Sequence, residues 1–301
     1  MTEPVLFGRR STADQVLAGI DLSGKRIVVT GCNTGIGFQT MNAFAANGAT
    51  VIGLARTIES AGKACALAGP SCIPVACELT DLQSIAGAVR AIRAIEAPLD
   101  AIVANAGVAN LASLETRYGV EMQFLANHIG HFALVNGIAG LLRDKGGRAV
   151  IVSSGAAVSA APGEGIMFDN LDGRRFYEPS AFYAQSKLAN ALFAMELSRR
   201  LSGRGITVNS ADPGAARTRI NMGWFNRLFA KSPAQAAATQ VLLAASPRTA
   251  GITGEFWSDC ASSPGSPLLK DLVLARRLWD VSDEIIARAS PAGERSLLRA
   301  A

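Results

Sequence analysis

Short apolar runs alternate along this chain with longer stretches in which apolar residues recur every three to four positions. That is the repeat of a buried strand followed by an amphipathic helix. The strand-like runs are Arg26–Thr30, Ala49–Ala55, Cys72–Cys77, Leu99–Ala104, Arg148–Val152, Ile206–Ala211 and Gly254–Trp257. Helical spacing follows the first run as far as Asn47-Gly48, covers Thr57–Ala68, runs from the capping-box sequence Thr80-Asp81-Leu82-Gln83 to Ile95, and covers Leu114–Leu142. It resumes from Pro179 to Leu201, behind Ser232-Pro233-Ala234-Gln235, and over Leu268–Ala289. Strands apolar on both faces, each followed by a helix, predict an α/β fold. The expectation is one doubly wound domain with a six- to seven-stranded parallel sheet flanked by helices. Residues 1–22 read as a lead-in with a helix start at Ser11-Thr12-Ala13-Asp14, 23–290 as the domain, and 291–301 as a flexible tail.

Composition narrows the function classes. With 301 residues, 49% hydrophobic and 18% charged, the chain is of globular type. No run approaches the roughly 18 uninterrupted apolar residues of a membrane span. The first thirty residues carry charges and no apolar core segment, so no secretory signal is expected. Five cysteines, an odd number without metal-ligand spacing, read as free thiols in a reducing compartment, hence a cytoplasmic protein. The net charge of +5 is dispersed, with no basic run interleaved with aromatics, so nucleic acid is not an expected partner.

Chemistry-bearing residues fall at the carboxyl ends of the strand-like runs, where open α/β sheets bind ligands. Gly31-Cys32-Asn33-Thr34-Gly35-Ile36-Gly37 leaves the first run and opens a helix, the entry of a dinucleotide-binding Rossmann fold. Gly31 permits a tight exit, Gly35 lets backbone N–H groups approach a pyrophosphate, and Gly37 allows close helix packing. The helix N-terminus adds partial positive charge. Arg56, Asn105-Ala106-Gly107, Ser154 and Pro213-Gly214 occupy the other strand ends. Tyr183 and Lys187 lie four apart, on one face of the helix after the Ser154 strand. A free phenol titrates near about 10, and a cation beside it favours the phenolate, bringing it towards acid/base use. His128 and His131 are three apart, but no third ligand accompanies them; they read as packing residues and no metal is expected.

Together Thr30-Gly31-x-x-x-Gly35-Ile36-Gly37, Asn105-Ala106-Gly107, Ser153-Ser154, Tyr183-x-x-x-Lys187 and Pro213-Gly214 resemble the short-chain dehydrogenase/reductase family. Asn127-His128-Ile129-Gly130-His131-Phe132, Tyr183-Ala184-Gln185-Ser186-Lys187-Leu188-Ala189-Asn190 and Ser258-Asp259-Cys260 are similar to its retinol-dehydrogenase-like and WW-domain-oxidoreductase-like branch. The likeness runs from about residue 20 to residue 285. It implies a catalytic set of Asn127, Ser154, Tyr183 and Lys187. Tyr183 would protonate the carbonyl oxygen as hydride arrives, and Ser154 would hold that oxygen. Lys187 would depress the phenol and bind the nicotinamide ribose, while Asn127 would hold a water leading from Lys187 to solvent. The cofactor set it implies is Gly31, Asn33, Thr34, Gly35, Ile36, Gly37, Arg56, Glu78, Leu79, Asn105, Ala106, Gly107, Tyr183, Lys187, Pro213, Gly214 and Thr218. Ser153 reads as a strand-end residue only.

Cofactor choice turns on Arg56. An acid at the end of the second strand would accept the adenosine ribose hydroxyl and repel a 2′-phosphate. This chain has Ala55-Arg56 there and no acid before Glu59, which favours NADP(H) over NAD(H). At Glu78-Leu79 it departs from the family, which usually places an Asp near the adenine. Segments 156–179 and 215–230 mix Met167, Phe168, Met222, Trp224, Phe225 and Phe229 with Arg174, Arg175, Arg217 and Arg219. They predict a pocket for a lipophilic ketone, aldehyde or alcohol, reached without a membrane span. By family analogy a homodimer or homotetramer forms through the Tyr183 helix and the long helix before it. Two other readings compete: a non-catalytic dinucleotide sensor or interaction protein, and a reductase of conjugated C=C bonds.

Overall fold

In the computed structural model, which describes residues 7–216 and 230–299, the strands are β1 (Arg26–Thr30), β2 (Thr50–Ala55), β3 (Cys72–Ala76), β4 (Ala101–Ala104), β5 (Thr116–Arg117), β6 (Val120–Glu121), β7 (Arg148–Val152), β8 (Thr207–Asp212), β9 (Phe256–Ser258) and β10 (Ala261–Ser262). The main sheet has the order β3-β2-β1-β4-β7-β8-β9-β10, parallel throughout except where β10 runs antiparallel to β9. The order reverses between β1 and β4, the crevice where doubly wound sheets take their ligands. It is a Rossmann-type α/β fold with seven parallel strands and one short antiparallel edge strand beyond the expected set.

Alternate residues of the central strands feed two apolar layers. Val28, Ile52, Ile102 and Ile151 pack under the helices Leu82–Arg93 and Pro179–Arg200 and the helical stretch between them. Ile27, Val29, Val51, Val103 and Val150 pack under Gly35–Ala46 and Pro233–Ala245. The lead-in helix Ala13–Leu17 docks on this second layer through Ala13, Val16 and Leu17, started by a reciprocal Thr12–Gln15 capping box.

Element boundaries differ from the periodicity where side chains terminate helices. The long helix expected over 114–142 begins only at Met122, because the Glu121 carboxylate accepts the Gln123 and Phe124 N–H groups at 2.9 and 3.0 Å. Ahead of it the chain makes the β5–β6 hairpin, turning through Tyr118 and Gly119 at positive φ. The helix continues as a π-helical turn, Leu125–Ile129, and then as Gly130–Ala139. At Asp81 the cap is the Asp carboxylate rather than the Thr80–Gln83 box. Asp271 starts the helix Leu272–Ala289, so the turn Pro267–Lys270 before it is separate. Residues expected as a tail include a helix, Ala292–Leu298, whose Leu298 is fully buried.

These C-terminal helices cover the faces on which a dimer was expected. Trp279 packs against Phe132 and Phe193 at ring-centroid distances of 4.9 and 5.8 Å, and the Leu297 carbonyl sits over Gly137. The chain's own C-terminal residues thus pack on parts of the Tyr183 helix and of the helix before it. Among the described residues, no helix is long and apolar enough to cross a membrane.

Two helical glycines separate packing from propensity. A Cβ on Gly130 would lie 2.2 Å from the Leu79 carbonyl oxygen, whereas one on Gly87 would meet nothing within 4 Å. Gly87→Ala is expected to stabilise by about 0.5–1 kcal/mol through helix propensity. Gly130→Ala should cost about 3 kcal/mol through overpacking, and urea denaturation of the two variants reads both signs.

Candidate active site

The glycine turn builds one end of the crevice. Gly31 exits β1 at φ 68°, with its Cα against Ala106, and a Cβ on Gly37 would lie 2.1 Å from the Gly31 carbonyl oxygen. Only glycine at Gly37 lets the helix start this close to the strand. Thr34 precedes the helix Gly35–Ala46 in an extended conformation, and its side chain caps none of the first-turn N–H groups. Those donors and the helix dipole remain for an anion. Asn33 and Thr34 are exposed, and Gly35 and Ile36 half-buried, at the mouth of the turn.

Next along the edge, Arg56 is exposed just past β2 and joins no ion pair among the described residues. Glu59, the nearest acid, is held by Lys63 at 2.6 Å. Glu78 does not extend outward. Its Oε1 accepts the Thr80 N–H and hydroxyl at 3.0 and 2.9 Å, while Leu79 is buried against Gly130. Asn105 donates its amide to the Thr30 carbonyl at 3.0 Å and accepts from Gln240 Nε2 at 3.0 Å, which fixes the turn into Ala106 and Gly107.

At the other end stand Ser154, Tyr183, Lys187 and Asn127. Ser154 follows β7 and hydrogen-bonds the Tyr183 hydroxyl. Ser153, expected as a strand-end residue, also has a tether: its hydroxyl donates to the Lys187 carbonyl at 2.6 Å, tying the Pro179–Arg200 helix to the sheet. Lys187 is buried, its ammonium donating to the Val152 carbonyl at 3.3 Å and lying 5.8 Å from the centre of the Tyr183 ring. The Cα of Gly107 sits so close that a Cβ there would be 3.2 Å from both the Lys187 ammonium and Asn127 Oδ1. Asn127 lies in the π-helical turn, a local insertion frequent at functional sites. Its Oδ1 accepts the Val108 N–H at 2.8 Å, and its Nδ2 donates to the Val108 carbonyl and the Ser186 hydroxyl, each at 2.9 Å. Both Nδ2 protons are thus spent, so the side chain has no donor left for a water.

One expectation fails on electrostatics. Lys187 was to depress the Tyr183 phenol, but burial raises that phenol above its ordinary range, the Ser154 hydrogen bond lowers it, and the negative charge of Asp212 raises it. Burial also brings the Lys187 ammonium down to about 8, with Asp212 opposing. Two buried groups that each pay desolvation do not simply exchange charge.

Three further residues join the site through contacts distant in sequence. The Thr30 hydroxyl accepts the N–H groups of Asn105 and Ala106 at 2.8 and 2.9 Å and meets His131 Nε2 at 2.9 Å. Both lone pairs are thus used, so its proton goes to Nε2. That leaves the proton of the neutral ring on Nδ1, donating to the Asn127 carbonyl at 2.9 Å. Burial holds His131 down to about 4, keeping it neutral. His128 instead meets Ser282 in an aromatic cluster, and among the described residues no group of three or more metal-ligating side chains could hold an ion. Asp212 is the third, discussed below. The only partial sequence signal for His131 was its place in the matched block.

On the substrate side, Gln185 Oε1 accepts the Met167 N–H at 3.2 Å and shapes the 156–179 wall. Val108, Leu114, Val158 and Phe176 are exposed apolar residues nearby in the chain segments that flank it. Arg174 and Arg175 pair with Asp172 and Asp169 and belong to the surface. Thr218, Arg217, Arg219, Met222, Trp224, Phe225 and Phe229 lie outside the described residues. Removing the Thr30 hydroxyl with Thr30→Val leaves one buried and two half-buried polar groups unpaired. It should cost about 3 kcal/mol in urea denaturation, whereas Thr57→Val, at an exposed cap, should cost about 1.

The arrangement matches known proteins. The family model for short chain dehydrogenases matches residues 25–166. Retinol dehydrogenase 14 of Homo sapiens is 33% identical over 295 residues, covering 88% of this chain and 87% of that protein. The WW domain-containing oxidoreductase of Homo sapiens is 34% identical over 296 residues, covering 92% and 71%. A short chain dehydrogenase from Burkholderia cenocepacia J2315, solved in complex with NADP, superposes with a TM-score of 0.65 at 26% identity, covering 80% of this chain and 98% of that one. The chain therefore belongs to the short-chain dehydrogenase/reductase family of oxidoreductases, in its retinol-dehydrogenase-like branch.

Proposed function

We propose that this oxidoreductase reduces the carbonyl of a lipophilic ketone or aldehyde with NADPH, and oxidises the corresponding alcohol in reverse, with Tyr183 as proton donor and acceptor. The observation that carries the reading is the meeting of the Ser154 and Tyr183 hydroxyls beside the buried Lys187, at the carboxyl edge of the sheet. The Gly31–Gly37 turn, with its uncapped helix start, fits a pyrophosphate. Arg56 fits a 2′-phosphate, and a neighbour in the fold is complexed with NADP. Asn33, Thr34, Gly35 and Ile36 would line the phosphates, Leu79 and Glu78 the adenine side, and Asn105, Ala106 and Gly107 the sugar. Pro213, Gly214 and Thr218 would flank the nicotinamide.

When bound, the nicotinamide supplies or accepts the hydride. Tyr183 and Ser154 bind the substrate oxygen: Ser154 donates a hydrogen bond that steadies it, and Tyr183 transfers the proton as charge develops there. Lys187 holds its ammonium beside the ring and binds the ribose hydroxyls. The Asn127 carbonyl, which accepts from His131, is where a water that returns the proton from solvent would be held. The exposed apolar residues Val108, Leu114, Val158 and Phe176 suit a lipophilic substrate.

Tyr183→Phe should lower kcat for carbonyl reduction by about 10²–10⁴ while NADPH binding stays within about twofold. Unchanged kcat would overturn the assignment. The pH profiles carry a sign. Reduction needs the phenol protonated, and a raised phenol stays protonated through neutral pH, so this direction should be flat and then decline as Lys187 loses its charge above about 8. Alcohol oxidation needs the phenolate and should rise towards alkaline pH. Steady-state rates in both directions across pH 6–10 test this, and parallel profiles would contradict it.

A further inference from the structure

Asp212 is the residue that the family resemblance leaves without a role. It ends β8 at the carboxyl edge, 8% exposed, paired in register with Ser258 of β9. Both its oxygens are anchored. Oδ1 accepts the Gly214 N–H at 2.8 Å, and Oδ2 accepts the Ser258 hydroxyl at 3.1 Å. The same Oδ2 lies against the backbone of Gly155, so close that a Cβ there would stand 3.3 Å from it. Gly155 is the neighbour of Ser154, and the carboxylate is thereby fixed beside the residue that hydrogen-bonds Tyr183. None of the ion pairs among the described residues includes Asp212. Lys231, a buried cation, packs over Gly214 but pairs with Asp259 at 2.6 Å.

A buried carboxylate outside any direct ion-pair contact is costly unless charges nearby answer it. Here two groups feel it, Tyr183 and Lys187. The other groups bearing on that pair carry no charge at neutral pH: Ser154, the Val152 carbonyl, and His131, neutral by burial. We propose that the Asp212 carboxylate is a positioning residue that poises the site for reduction, holding the proton on Tyr183 and the positive charge on Lys187. An anion beside the phenol opposes phenolate formation, so the resting site is loaded to donate a proton rather than to accept one. The same anion favours the ammonium form of Lys187, which burial disfavours. Ser258 and Gly214 set the placement by satisfying both oxygens without neutralising them. The inference rests on the reading of Tyr183 as proton donor.

The test needs no nicotinamide. The chain has 3 tyrosines, Tyr118, Tyr177 and Tyr183, so ring labelling with carbon-13 at Cζ gives three resonances, with Tyr183 assigned by Tyr183→Phe. Titrated in the cofactor-free protein, the Tyr183 resonance should move to lower pH by about one pKa unit in Asp212→Asn. Asp212→Ser, which also removes the charge while leaving an acceptor for Gly214, should do the same. Ser258→Ala keeps the charge and loses one tether, and it should leave the titration where wild type has it. In parallel, the ratio of reduction to oxidation rates at one pH should fall about tenfold in Asp212→Asn, one pKa unit being a factor of ten. An unmoved Tyr183 resonance in both Asp212 variants, or an equal shift in Ser258→Ala, would overturn the proposal and make Asp212 a structural tether only. Loss of nicotinamide binding would sink the enzymatic reading yet leave this titration unchanged, so the two failures are distinguishable.

Discussion

The Thr30 hydroxyl is the joint on which the crevice depends. It spends both lone pairs on the backbone at the end of β4 and its proton on His131, so the ends of β1 and β4 and the Asn127 helix are held by one oxygen. From His131 the chain of contacts passes to the Asn127 carbonyl, through the Asn127 amide to Ser186, and from the Ser186 hydroxyl to the Tyr183 carbonyl at 2.7 Å. The ends of β1 and β4 and the Tyr183 helix thus form a single buried hydrogen-bond network. In a low-dielectric interior such a network is rigid when satisfied and expensive when broken. That rigidity sets where Tyr183 stands relative to the glycine turn.

Within that frame the chemistry is a matter of charge held out of water. Lys187 and Tyr183 are both desolvated, and desolvation disfavours the charged form of each. The anchored Asp212 carboxylate and the two donors converging on the Val152 carbonyl, from Lys187 and Asn190, decide how the remaining charge is arranged. The backbone is arranged to the same end. Gly37, Gly107 and Gly155 are places where a Cβ would intrude on a carbonyl, an ammonium or a carboxylate.

Much of the fold was legible because strand and helix periods are local. The strands read from apolar runs lie within about two residues of those observed, and the residues at their carboxyl ends stand along one edge of the sheet. Helix starts were less legible, since Glu121, Asp81 and Asp271 act through carboxylates that periodicity ignores. The contacts that organise the site were not legible at all. Thr30 and His131 are 101 positions apart, and Asp212 and Ser258 are 46. His131 looked like a packing residue because only its partners show that both ring nitrogens are used. The expected influence of Lys187 on Tyr183 failed for a related reason: spacing places two groups together but says nothing of the desolvation that sets their protonation.

The central claim is that the crevice reads a phosphorylated nicotinamide dinucleotide through the glycine turn and Arg56. Fluorescence titration of the purified protein with NADPH and with NADH tests it most directly. The account predicts tighter binding of NADPH, weakened at least about tenfold in Arg56→Ala with little change for NADH. Equal affinity for the two cofactors, unaltered by Arg56→Ala, would contradict the phosphate-reading assignment. Binding of neither would contradict the oxidoreductase reading of the crevice itself.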